Sequence, residues 1–137
     1  MGCDSTSMEA TRLSLPTDVP EVPAGAELRA ARSAFEAGNF GYAARYFEQV
    51  EGDAEACLGL AASYDWLYRF DLADRAYERC AEIGGETFAY ENNRGFSYLL
   101  RGESGKAAAR FARAMAIRPD DPTVRTNLRI LGDAASD

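Results

Sequence analysis

The chain has 137 residues, no histidine and a net charge of −7, with 47% of its residues hydrophobic. That length suits one domain able to bury a continuous core, while the acidic balance argues against a nucleic-acid binder, which would show a basic face. The missing imidazole removes the usual general base, metal ligand and triad partner. With no C-x-x-C spacing and no G-x-x-x-x-G-K-[ST] loop, neither a bound metal nor a cofactor is expected, and the chain does not read as an enzyme. No run approaches the ~20 apolar residues that a bilayer span requires.

Residues 1–23 are rich in Ser, Thr, Pro and acids and show no helical period, which predicts a flexible tail or linker. Its start, Met1-Gly2-Cys3-Asp4-Ser5-Thr6-Ser7, leaves three readings open. Gly-Cys followed by small polar residues is what remains of a trimmed bacterial lipoprotein signal, with Cys3 as the lipidated residue. Met1-Gly2-x-x-x-Thr6 also fits N-myristoylation. The plainest reading is a tail with a free thiol.

From Ala24 the pattern becomes helical, and the five prolines all lie near the ends of this region, as an all-α domain requires. The spacing predicts helices over 24–36 and 39–49, then 54–67 and 70–83, then from about Thr87 to 100 and over 104–117. The second of these should be clipped around Val50 to Asp53. Pro122 sits where a helix tolerates proline best, in its first turn, and opens a last helix over 123–131. Val124, Leu128 and Leu131 form one stripe of it, Gly132 ends it, and residues 133–137 fray. Cys57 and Cys80 lie near the start and end of two antiparallel helices, which brings them together. They are expected as small buried thiols, or as a disulfide if the compartment oxidises them. Glu91 and Arg94, three apart on one helix face, are expected to pair, although Arg94 could instead reach a partner. Arg101, Lys106, Arg110, Arg113 and Arg118 read as a solvated helix face.

Gly95, Tyr98, Gly102, Ala107, Phe111, Ala114 and Pro119 fall at the offsets of a tetratricopeptide repeat, [LR]-G-x-x-Y, a turn, A-x-x-x-F, then Pro. Ala61, Tyr64, Ala73 and Tyr77 repeat this register 34 residues earlier. Gly38, Asn39, Phe40, Ala43 and Phe47 give a third copy 30 residues before Tyr68, Arg69, Phe70, Ala73 and Tyr77. Over about residues 24–132 the chain therefore resembles tetratricopeptide proteins. The implied fold is an α-solenoid of three helix-hairpin repeats with a C-terminal capping helix, since a repeat array needs its last core covered. Chaperone-type carboxylate clamps of that family are not expected. The matching positions, Leu28, Arg32, Gly59, Ala89 and Asn93, lack the two-Lys, two-Asn, one-Arg set.

A narrower resemblance rests on Asn92 to Gly102 and Pro119 to Leu128, which look like TadD-type lipoproteins of bacterial tight-adherence (Flp) pilus assembly. That resemblance implies a periplasmic protein tethered by a lipidated Cys3 and helping to assemble or localise the outer-membrane secretin. Its partner would be a protein, and the membrane would be met only through the lipid. A soluble cytoplasmic chaperone or regulator that binds an amphipathic helix is the alternative, and an acylated eukaryotic adaptor a third. In either of the first two readings the partner-binding groove falls on the first helices, at Leu28, Arg32, Phe35, Leu58, Ala62, Trp66, Asn92, Asn93, Phe96 and Leu99. Exposed apolar surface that folding does not need marks interaction sites, and Asn92 and Asn93 would offer side-chain amides to a partner's backbone. Otherwise this face is covered internally, by the last helix or by Leu13, Leu15 and Val19 of the tail.

Overall fold

The computed structural model describes residues 13–136, with side chains described through residue 132. Among the described residues the regular elements are all helices: α1 (Glu27–Glu36), α2 (Phe40–Glu48), α3 (Ala54–Trp66), α4 (Phe70–Gly84), α5 (Phe88–Leu100), α6 (Ser104–Ile117) and α7 (Pro122–Ser136). The chain forms two compact units, one reaching to Arg79 and the other beginning at Cys80.

Three of these helices start on side-chain caps that the sequence supplies. Asp53 accepts from the Ala56 N–H at 2.8 Å to open α3, and Thr87 accepts from the Tyr90 N–H at 3.2 Å to open α5. Asp121 accepts from the Thr123 N–H at 2.9 Å at the start of α7. Each cap satisfies one of the N–H groups that a helix start leaves without an intrahelical acceptor. The short helix is α2, at 9 residues against 15 for α4 and 14 for α6.

In the first unit α1 packs on α2 and α2 on α3. Ala31, Ala43, Tyr46, Phe47 and Ala56 form the buried cluster, with Leu28, Phe35, Val50 and Leu60 around it. A Cβ on Gly59 would fall 2.4 Å from the Phe47 ring, so glycine lets α3 lie close against α2. The Tyr77 side chain, fully buried, donates from its hydroxyl to Asp65 Oδ2 at 2.8 Å, tying α4 to α3. In the second unit α5 packs on α6 and α6 on α7, around Ala107, Phe111, Ala114, Val124 and Leu131. The last helix continues past Gly132 to Ser136 rather than stopping there. One glycine costs a helix only ~1 kcal/mol relative to alanine, and Ala134 and Ala135 beyond it are strong helix formers.

Residues 14–22, within the stretch expected to be a flexible tail, instead lie along α2. Arg45 donates from Nε to the Pro16 carbonyl at 2.6 Å, and Tyr46 donates from its hydroxyl to the Pro20 carbonyl at 2.8 Å. Val19 and Val22 pack on the first unit's cluster. These contacts go to main-chain carbonyls and isolated valines, a pattern too proline-broken to show as a helical or strand period.

The loops between α1 and α2, α3 and α4, and α5 and α6 share one conformation. The N–H of Asn39 reaches the Ala34 carbonyl, that of Arg69 the Tyr64 carbonyl and that of Glu103 the Tyr98 carbonyl, at 2.8 to 2.9 Å. Each turn has one residue at positive φ: Gly38 at 79°, Tyr68 at 56° and Gly102 at 75°. Tyr68 adopts a conformation costing ~1–2 kcal/mol for a residue with a Cβ; its ring is exposed and stands edge-on to Phe70 at 5.9 Å.

The α5–α6 crossing is close as well. A Cβ on Gly95 would lie 2.6 Å from Phe111 Cε1 and 2.7 Å from Cδ1. Overpacking of this kind costs ~1–3 kcal/mol, against ~1 kcal/mol gained in helix propensity. Gly95→Ala is therefore expected to destabilise the protein by about 1 kcal/mol in urea unfolding. Gly105→Ala, on a helix where the added methyl meets nothing within 4 Å, should stabilise by up to ~1 kcal/mol.

Candidate functional site

The candidate contact residues fall into one set in each unit. In the first unit Leu28 and Phe35 of α1 are half-buried against the Tyr46–Phe47 cluster, so both already serve folding. Arg32 is exposed and ion-paired with Glu55 across the α1–α3 contact. Leu58, Ala62 and Trp66 of α3 are half-buried. Trp66 stacks on Phe40 with ring centroids 5.4 Å apart and planes 11° from parallel, and Phe35 meets Phe40 edge-on at 5.1 Å. Phe40 thus joins the α1 and α3 aromatics, a bridge that its place in the repeat register does not reveal.

In the second unit Phe96 and Leu99 pack against the Phe111–Val124 cluster. Asn92 Oδ1 accepts from Asn127 Nδ2 at 2.9 Å, so this amide is held by α7. Asn93 is half-buried. Here the last helix reaches the face expected to be a groove at Asn92. Cys3 lies outside the described residues.

The charged residues of α5 and α6 are organised differently from the expectation. Glu91 does not pair with Arg94. It is 2% exposed and meets Arg110 Nη1 at 3.2 Å, a contact between two helices that spacing along one helix does not reveal. Arg94 donates from Nη1 to the Tyr90 hydroxyl at 2.8 Å and from Nη2 to the Tyr98 hydroxyl at 3.4 Å. Arg101 and Lys106 lie over the Tyr98 ring at 5.0 and 5.6 Å, and Arg118 over Phe88 at 4.5 Å. Lys106, Arg113 and Arg118 are exposed, as expected of a solvated face, and part of that face is also a cation–aromatic layer, in which ring faces attract the cations. Only Arg113 of that group is plainly exposed without a ring contact among those described.

In the first unit burial, aided by the hydrogen bond to Glu48, pushes the Tyr64 hydroxyl above the usual phenol range. Tyr64 donates to Glu48 Oε1 at 2.7 Å, and Glu48 in turn holds Arg45 at 3.0 Å. Cys57 and Cys80 are buried, as expected, and disulfide-bonded, the second of the two states left open by the sequence. A depression bordered by Val22, Pro23, Arg29 and Ser33 is shallow and open, a shape that suits a peptide better than an enclosed small molecule. Among the described residues no group of three or more His, Cys, Asp or Glu could hold a metal ion, and no helix is long and apolar enough to cross a membrane. No protein-family model and no curated protein matches the chain.

A buried carboxylate stripped of its cation is the costliest defect this layer offers. Arg110→Ala is expected to destabilise the protein by ~3 kcal/mol in urea unfolding, because Glu91 stays buried with its charge uncompensated. Replacing both partners by apolar residues, Glu91→Leu with Arg110→Met, should recover most of that loss.

Proposed function

We propose that this chain is a tetratricopeptide-type protein-binding adaptor of the bacterial envelope, assisting Flp/Tad pilus or secretin assembly from a lipid anchor on Cys3. The observation that carries the repeat reading is the recurring turn. Its positive-φ residue stands at 38, 68 and 102, so the intervals of 30 and 34 residues match those of the small and aromatic positions in the sequence. Each turn joins two helices of one hairpin, as that family requires. A repeat array has few interior positions for chemistry and much surface for contact, which supports an adaptor over an enzyme.

The disulfide-bonded state of Cys57 and Cys80 supports the envelope part of this reading, because disulfides persist in the periplasm and are rare in the reducing cytosol. Contact with the partner is assigned to Leu58, Ala62 and Trp66 on α3, which lie outside the first unit's core cluster. Trp66 offers a broad half-buried ring, already stacked and so costing little further ordering on binding.

Three measurements test this reading. A photo-cross-linking amino acid at Ala62 in the native cells should trap a pilus or secretin component; capture of only unrelated cytoplasmic proteins would refute the assignment. Mass spectrometry of protein from those cells should find an acylated Cys3, whereas an intact, unmodified N-terminus from Met1 removes the lipoprotein. Alkylation under denaturing, non-reducing conditions should leave Cys57 and Cys80 unlabelled, and full labelling would put the chain in a reducing compartment.

A further inference from the structure

The segment on α2 has the features of a ligand bound in place. Its contacts include hydrogen bonds to its main chain and the packing of two apolar side chains. Arg45 and Tyr46 donate to the carbonyls of Pro16 and Pro20, while Val19 and Val22 sit on the apolar cluster. At the closest point residue 41 is glycine, and a Cβ there would fall 2.1 Å from the Ser14 carbonyl oxygen and 2.7 Å from Pro16 Cδ. The α2 surface is thus shaped to admit another backbone directly against its own.

Proline suits that position for a physical reason. An α-helix spends its carbonyls on its own ladder, so a chain laid across it finds few acceptors for its N–H groups. Each proline removes one such donor and holds the chain extended. The receiving side is already set. Arg45 is held by Glu48 at 3.0 Å, and Glu48 accepts from the Tyr64 hydroxyl at 2.7 Å, so the guanidinium is aimed by contacts that do not involve the segment.

We propose that the α2 surface around Gly41, Arg45 and Tyr46 is a docking site for an extended, proline-containing segment of a partner protein, and that residues 14–22 occupy it in cis as a displaceable stand-in. Recognition through carbonyl oxygens does not depend on side-chain identity, so a partner needs prolines four apart and two small apolar residues, and not this sequence itself. The cis segment acts at an effective concentration on the order of millimolar, so a partner must bind well or arrive tethered nearby.

The test uses the full chain and a fluorescein-labelled peptide with the native sequence of residues 13–24, read by fluorescence polarisation. Val19→Asp with Val22→Asp releases the cis segment and leaves the α2 surface untouched. This variant should bind the peptide saturably and at least ~10-fold more tightly than the native chain, where the site is filled. Adding Gly41→Ala or Arg45→Ala to it should abolish binding while circular dichroism keeps its helical signal. Should the aspartates cost helicity, Val19→Ala with Val22→Ala carries the same comparison. A folded release variant that ignores the peptide, or binds it equally with Ala at 41, overturns the proposal. A native chain that runs as a dimer dissociated by Arg45→Ala also overturns it, since the segment would then be exchanged between copies.

Discussion

Helices α5 and α6 can cross as closely as they do only because residue 95 has no Cβ: the Phe111 ring fills that volume, 2.6 Å from where the atom would be. Much of the second unit follows from this contact. Phe111 is fully buried and reaches Gly95 from beside Ala107 and Ala114, both also fully buried, so α6 presents α5 with a strip of small residues and one large ring. Close-packed interiors transmit such a constraint, because a shift of one helix opens a void or a clash elsewhere. The turn at Gly102 then has one geometry that keeps both helices in register, and the left-handed residue supplies it. In the first unit the same logic places Phe47 against Gly59, between α2 and α3.

Polar side chains then join helix to helix at chosen points. Tyr77 reaches Asp65, Tyr64 reaches Glu48, Arg110 reaches Glu91 and Asn127 reaches Asn92, each across an interhelical boundary. A buried hydrogen bond adds only ~0.5–1.5 kcal/mol when made, but its loss leaves a polar group unsatisfied at ~1–3 kcal/mol. These pairs therefore act mainly against wrong registers, while burial of the rings and alanines supplies the driving force.

The helices and turns were legible in the sequence because they rest on local rules. The small and aromatic positions repeat, Asp53, Thr87 and Asp121 stand where caps are needed, and Pro122 stands in a first turn. What was not legible depends on reach between helices. Glu91 has Arg94 three residues away and Arg110 nineteen away, and only the packing of α5 on α6 makes the distant one its partner. The repeat register placed the turn at Tyr68, but with no glycine there the residue type did not announce the left-handed conformation that glycine takes at 38 and 102. At the candidate contact positions the sequence separated residues by face but not by load. Leu28, Phe35, Phe96 and Leu99 carry core packing, and Asn92 is spent on Asn127, leaving Leu58, Ala62 and Trp66 on α3 as the better contact candidates.

The seating of residues 14–22 on α2 also changes what a tether at Cys3 could do. An extended chain spans at most ~3.3–3.6 Å per residue. With the whole stretch to Pro23 free, the folded body could stand as far as ~70 Å from a membrane holding Cys3. With Ser14 already placed against Gly41, the free reach is limited to ~40 Å. Docking a partner on α2 in place of that segment would return the longer tether. One contact, the Arg45 guanidinium on the Pro16 carbonyl with the glycine beside it, would then link occupancy of the α2 surface to the height at which the helical body is carried. Such a coupling would need no change in the first unit's buried cluster beyond the release of Val19 and Val22, which pack on its surface.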